Sequence, residues 1–247
     1  MKVLVTGGTG FIGSHLVEAL VKRGHEVRCL VRKTSNVDHL KGLGIEFVYG
    51  DVTQRDSIEK ALDNIDIVYH LAGVLGNWAI PDKVYWDVHV KGTQNMLDLS
   101  LRHDVQRFIY CSTAGVTGSL SNLPGNESFP YNPSTPYETS KAEAERMVLK
   151  YHHEKGLPAV VIRPEFVYGP GDLHTLALFR AIKRGMFFLI NSGNGIWHPT
   201  HIEDLVYGLE LSLDNPRAIG QIYIVAVSYT HLRAHETRHD LVCRLLL

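Results

Sequence analysis

The stretch TGGTGFIG lies directly between an apolar pentapeptide, KVLVT, and the amphipathic run FIGSHLVEALVKRG. A strand that turns at once into a helix around Gly7, Gly10 and Gly13 leaves few folds open. The turn is tight, and glycines let bare backbone at a helix N-terminus approach a pyrophosphate, which the open N–H groups and the helix dipole attract. Any tight strand–helix turn can use glycine, but the position directly after a first strand favours a dinucleotide. Phe11 and Ile12, inside the motif, are then expected on the cofactor side together with the three glycines.

The rest of the chain repeats that alternation. EVRCLV, IEFVYG, DIVYHLAG, RFIYCS, AVVIRP and QIYIVA read as strands. Between them come the first helix, with Ile12, Leu16 and Leu20 on one face and Gly24 as its stop, a helix at RDSIEKALD, and a long one over residues 83–102. SKAEAERMVLKYHHEKG and segments near 176–184 and 202–213 complete the helices. Short β-rich runs separated by helical ones predict a parallel sheet wrapped on both faces. At 247 residues, 45% apolar and 21% charged, the chain suits one large domain with a smaller lobe. The 25 basic and 26 acidic residues nearly cancel, which argues against a nucleic-acid partner or an anionic membrane surface. Three cysteines without metal-ligand spacing suit a reducing compartment, and no apolar stretch is long enough to span a bilayer. A cytoplasmic location is expected, and no metal site is.

Two strand ends bear on the cofactor. After EVRCLV, an NAD site places an acid on the ribose 2′-hydroxyl, whereas an arginine suits a 2′-phosphate. Arg32 and Lys33 stand there, so NADP is expected, with NAD the alternative. A merely solvated charge explains Arg32 as well. Asp51 and Val52 in YGDVTQRDS, and Leu71, Ala72 and Gly73 in HLAG, follow strands whose ends should meet the adenine and ribose; Asp51 could equally cap the next helix.

PYETSKAEAERM carries the chemistry. Tyr137 and Lys141 are four residues apart at a helix start and share a face. A neighbouring ammonium lowers a phenol's pKa, giving a general acid/base suited to a secondary alcohol or ketone. Ser112 and Thr113, at the end of RFIYCS, supply a partner hydroxyl. Alone, a Tyr-x-x-x-Lys is often a surface pair; glycine turn, strand-end hydroxyl and Tyr–Lys in this order are far more specific.

With these motifs in place, the chain resembles the extended short-chain dehydrogenase/reductase family, in its NAD(P)-dependent epimerase/dehydratase branch. The resemblance spans residues 1–226 and rests on TGGTGFIG, GDV, HLAG, VKGTQN, YETSK, RPEFVYGPG and HPTHIEDL in family order. It implies an α/β fold, a Rossmann-type doubly wound parallel sheet with an incomplete C-terminal substrate lobe. It makes Tyr137 the catalytic acid/base, gives Lys141 the tuning of Tyr137 and the nicotinamide ribose, and sets Thr113 on the reacting oxygen, with Ser112 nearby. Pro164 and Val167 would line the nicotinamide, and His201 would frame the substrate lobe unless capping and packing explain it. A small-molecule substrate and, for the intact parent, a homodimer are implied. The expected activity is epimerisation of a nucleotide sugar. The alternatives are an NADPH-dependent ketone reductase of the dihydroflavonol-reductase kind and a non-catalytic NADP sensor, which would have no need of a tuned phenol.

Two departures stand out. His89 occupies the place of the family's Asn before V-x-G-T, so the supporting polar network must differ. Ala114 and Gly115 occupy the place of the dehydratases' Asp–Glu pair, which removes the acid/base that elimination needs. The expected organisation is a cofactor domain over residues 1–164, a partial substrate lobe over 165–226 interleaved with the sheet, and a non-native tail over 227–247. That tail, VSYTHLRAHETRHDLVCRLLL, resembles an in-frame translation of a transposase-type sequencing adapter and shows no amphipathic period.

Overall fold

The alternating side chains of the first strand, β1 (Lys2–Thr6), show how the sheet is sandwiched. Val3 and Val5 pack on one face with Leu16 and Leu20 of α1 (Phe11–Lys22) and Leu205 and Leu209 of α7 (Ile202–Asp214). Leu4 turns to the other face and joins Met96 and Leu97 of α4 (Gly92–Arg102) and Val148 of α5 (Pro136–Lys155). A strand apolar on both sides is what a parallel sheet covered by two helical layers requires.

The computed structural model describes residues 1–118, 125–186 and 198–226. Seven parallel strands lie in the order β3 (Glu46–Tyr49), β2 (Glu26–Val31), β1, β4 (Ile67–His70), β5 (Arg107–Cys111), β6 (Ala159–Pro164), β9 (Ile222–Val225). The sheet is doubly wound, as expected. The chain runs outward from β1 through β2 and β3, then crosses to β4 on the other side of β1. The carboxyl ends of β1 and β4 therefore diverge into a crevice, the usual ligand position in such sheets. A second parallel pair, β7 (Val167–Tyr168) with β8 (Thr200–His201), was not foreseen. The tail over residues 227–247 lies outside the described residues.

Other elements differ from expectation in instructive ways. RDSIEKALD yields only one α-turn, α2 (Arg55–Ile58), before tightening into a 3₁₀ turn over Glu59–Leu62. The helix expected over 83–102 forms, but as α3 (Asp82–Tyr85), a π-helical stretch at Trp86–Lys91, and α4. α6 (Leu173–Lys183) begins earlier than its apolar period suggests, because the Asp172 carboxylate accepts hydrogen bonds from His174 and Thr175 N–H. α5 opens with a full capping box: Thr135 accepts from Glu138 N–H while the Glu138 carboxylate accepts from Thr135 N–H.

At the crevice the backbones nearly touch. Gly7 has φ +74°, and a Cβ there would lie 2.8 Å from the Leu71 and Ala72 backbone. A Cβ on Gly13 would lie 2.1 Å from the Gly7 carbonyl oxygen, so α1 can start where it does only with glycine. Beside this contact, the Thr6 hydroxyl accepts from Ala72 N–H at 3.1 Å and lies 2.8 Å from His70 Nδ1, whose Nε2 is 3.0 Å from the Thr93 hydroxyl. This buried chain joins β1, β4 and α4. Gly13→Ala should destabilise the protein by roughly 1–3 kcal/mol or more, because the obstruction is backbone that cannot rotate away. Chemical denaturation checks this; a variant of wild-type stability would mean that the turn is not packed as described.

Candidate active site

The site begins at the turn after β1. Gly10 is the N-cap of α1, no side chain caps that end, and no acidic residue lies in the first turn. The first N–H groups of a helix lack intrahelical partners, so this end presents donors and the positive end of the dipole to an anion. A Cβ on Gly10 would meet only the Gly7 oxygen, at 3.3 Å, so its backbone is open to a ligand. These residues fit a pyrophosphate.

The turn forms one end of a cleft of about 580 Å³. Gly7, Gly10, Phe11, Ile12 and Gly13 line it, as do Leu71 and Gly73 after β4, Ser112 and Thr113 after β5, Tyr137 and Lys141 on α5, Pro164 at the end of β6 and Val167 in β7. The structure thus brings together most of the residues singled out above. Five lie off the cleft wall. Arg32 is exposed just beyond β2. Asp51 turns its carboxylate back onto Thr53 N–H at 2.9 Å, and the cap of α2 is Gln54 instead. Val52 is buried, with its methyl where a Cβ on Gly92 would fall, 2.8 Å away. Ala72 contributes backbone to the Thr6 contact. His201 caps α7, its Nδ1 accepting from Glu203 N–H at 3.4 Å, and packs edge-on to Tyr168. Val74, Leu75, His89, Gly115, Glu165, Phe166, Asp172 and His174 also line the cleft and were not expected there. Only the departures at His89 and Gly115 and the RPEFVYGPG motif hinted at any of them.

The polar groups divide cleanly. Thr113 and Tyr137 both line the cleft, and the Thr113 hydroxyl, which accepts from Gly115 N–H at 3.2 Å, lies close enough to the phenol to act on it. The Ser112 hydroxyl is turned away to donate to Glu145. Glu145 is fully buried and also takes the Arg163 guanidinium at 2.6 Å and the Tyr131 hydroxyl at 2.9 Å. That cluster binds the end of β5 to α5, β6 and the loop before α5. The split leaves Thr113 as the hydroxyl at the phenol.

Lys141 corrects one expectation. Its ammonium donates to the Cys111 carbonyl at 2.5 Å and lies 4.5 Å above the Tyr110 ring. Burial pushes the Tyr137 phenol up to about 12, with the nearby Thr113 hydroxyl acting the other way. Desolvation is the largest influence on the phenol, while the ammonium is engaged by a carbonyl. Tyr137 is therefore a neutral phenol across the physiological range. Burial also lowers Lys141, to about 8, partly offset by Cys111 and Glu145.

With this geometry in view, comparison with known proteins is direct. The chain belongs to the NAD dependent epimerase/dehydratase family, whose model matches residues 3–226. It is 35% identical to sterol demethylase protein B of Methylococcus capsulatus over 74% of this chain and 56% of that protein. It is 32% identical to a 3 beta-hydroxysteroid dehydrogenase/Delta 5→4-isomerase of Mycobacterium tuberculosis over 91% of this chain and 64% of that protein. The chain thus spans less than two thirds of either relative. The solved structure of a Thermus thermophilus UDP-glucose 4-epimerase, a complex with NAD, superposes with a TM-score of 0.82 at 28% identity, covering 94% of this chain and 79% of that one. Among the described residues no helix is long and apolar enough to cross a membrane, and no cluster could hold a metal ion.

The lowered Lys141 value makes a stability prediction. In the unfolded chain the lysine keeps its proton up to 10.5, whereas the folded protein releases it near 8. Between those values the unfolded state binds the extra proton, so stability rises with pH. The burial penalty, roughly 3 kcal/mol, is present in full below pH 8. Denaturation of wild type and Lys141→Met at both ends of this window should show wild type gaining relative to the variant as pH rises. A pH-independent difference would place the ammonium in water.

Proposed function

We propose that this site transfers a hydride between a nicotinamide dinucleotide and a secondary alcohol or ketone. One observation carries the reading: Thr113, Tyr137 and the buried Lys141 line the same cleft as the glycine turn. The bound nicotinamide would supply the hydride donor or acceptor. The pyrophosphate is assigned to the N–H groups at Gly10–Gly13, the ribose side to Lys141, and the nicotinamide pocket to Pro164 and Val167. The phenol, held neutral by burial, acts as proton donor to the oxygen being reduced, and Thr113 holds that oxygen. In the oxidative direction the same pair takes the proton back.

Ala114 and Gly115 bring no carboxylate to the place after Thr113, which disfavours elimination of water. Away from the glycine turn the cleft wall is largely apolar, through Leu71, Val74, Leu75, Phe166 and Val167, and the Asp172 carboxylate there is already engaged at the start of α6. Reduction or oxidation of an uncharged, largely apolar substrate therefore stands first, in keeping with the sterol and steroid enzymes among the relatives. Epimerisation of a nucleotide sugar, the expectation from sequence, stands second and is favoured by the fold's likeness to the UDP-glucose enzyme. The two separate on cofactor use: a reductase consumes reduced cofactor in step with substrate, while an epimerase retains and recycles it.

NADP is the proposed cofactor, because Arg32 and Lys33 follow β2 where an acid would hold an unmodified ribose. Two variants test the assignment. Tyr137→Phe should lower turnover by about 10²–10⁴-fold with cofactor affinity nearly unchanged; an active Phe variant refutes the mechanism. Arg32→Ala should weaken NADPH and spare NADH in a fluorescence titration, and equal weakening of both would refute the role of Arg32.

A further inference from the structure

His89 is buried within the π-helical stretch between α3 and α4, on the cleft wall beside Tyr137. Its Nε2 accepts from Val74 N–H at 3.0 Å, and its Nδ1 lies 2.8 Å from the Ser140 hydroxyl. Ser140 in turn donates to the Tyr137 carbonyl at 2.8 Å. A backbone N–H can only donate, so Nε2 carries no proton. A neutral ring must then carry it on Nδ1, as donor to Ser140. Burial, aided by the Lys141 charge and by His70, lowers this imidazole to about 3, so the ring stays neutral.

The same helix clamps the loop after β4 a second time. Tyr85, four residues earlier, accepts from Asn77 N–H at 2.8 Å and donates to the Asn77 carbonyl at 2.9 Å. The loop lies close against both rings: a Cβ on Gly76, between the clamps, would lie 3.3 Å from Tyr137 Cγ, and one on Gly73, just before them, would lie 3.3 Å from His89 Nε2. The His89 and Tyr85 rings stand edge-on to the Tyr137 ring at 5.5 and 6.1 Å. π-Helical turns recur at functional sites, and this one delivers a side chain that ties two elements together.

We propose that His89 is a positioning residue for proton transfer: a neutral, Nδ1-protonated imidazole that holds the loop at residues 73–77 over the Tyr137 ring and fixes the first turn of α5. The inference rests on the assignment of Tyr137 as proton donor. Releasing the loop would hydrate the phenol, and hydration removes the burial that raises it.

Three measurements on the full chain test this without a substrate. Ring ¹⁵N shifts of His89 should show protonated Nδ1 and bare Nε2, unchanged down to about pH 5; the opposite tautomer, or titration near the ordinary value of about 6.5, overturns the proposal. Amide exchange at Val74 should speed up by about tenfold or more in His89→Phe and return toward wild type in His89→Gln, whose amide can both accept and donate. The ¹³Cζ shift of Tyr137 should report an ionisation midpoint lowered by about a unit in His89→Phe and restored in His89→Gln. A Phe variant with both readouts unchanged, or a Gln variant no better than Phe, refutes it. Should His89→Phe not fold, the wild-type tautomer and the Gln variant still decide. None of these readouts uses turnover, so failure of the proposed function and failure of this inference are separable.

Discussion

The hydrogen bond from Lys141 to the Cys111 carbonyl is the contact on which the site's geometry turns. It ties the second turn of α5 to the last residue of β5. Thr113, two residues beyond that strand end, and Tyr137, one turn earlier on the helix, are thereby set against each other. The arrangement works because both partners are dry. An ammonium in water would find solvent oxygens as good as a carbonyl; a buried one cannot leave its acceptor without losing most of its remaining solvation.

Two further buried assemblies keep that contact in place. At the crevice, Thr6, His70 and Thr93 join β1, β4 and α4, so the glycine turn and the loop after β4 keep a fixed separation. On the other side of the cleft, Glu145 gathers Arg163, Ser112 and Tyr131. A buried carboxylate without Arg163 would be strongly unfavourable, so this cluster acts as one unit or not at all. It also engages the Ser112 hydroxyl, leaving Thr113 as the neighbouring hydroxyl on the cleft wall. Together the two assemblies make the walls of the cleft, and the turn at Gly7–Gly13 makes its end.

Much of this was legible in the chain. The strands and their parallel order follow from alternating β-rich and amphipathic runs, and TGGTGFIG fixes where the first turn must open. The Tyr137–Lys141 spacing and the hydroxyls at the end of β5 pointed to residues that the fold gathers in one cleft. What could not be read depended on tertiary packing. Whether Lys141 lowers Tyr137 depends on which is drier and on where the ammonium's hydrogen bonds go, and burial won. His201 took the capping use that stood as its alternative, whereas Asp51 turned to Thr53 N–H rather than capping the helix that follows. His89 was visible only as a mismatch, because its role needs the Val74 amide and the Ser140 hydroxyl, far from it in the chain, to arrive on opposite sides of one ring.

The account's central claim is that one cleft serves both dinucleotide and proton donor. The most direct measurement is a crystal structure of the protein with NADPH. The account predicts the pyrophosphate on the N–H groups at the start of α1, the nicotinamide against Pro164 and Val167, and the Tyr137 hydroxyl facing the nicotinamide across the space left for substrate. A dinucleotide bound away from the glycine turn, or a Tyr137 hydroxyl walled off from the nicotinamide, would contradict it.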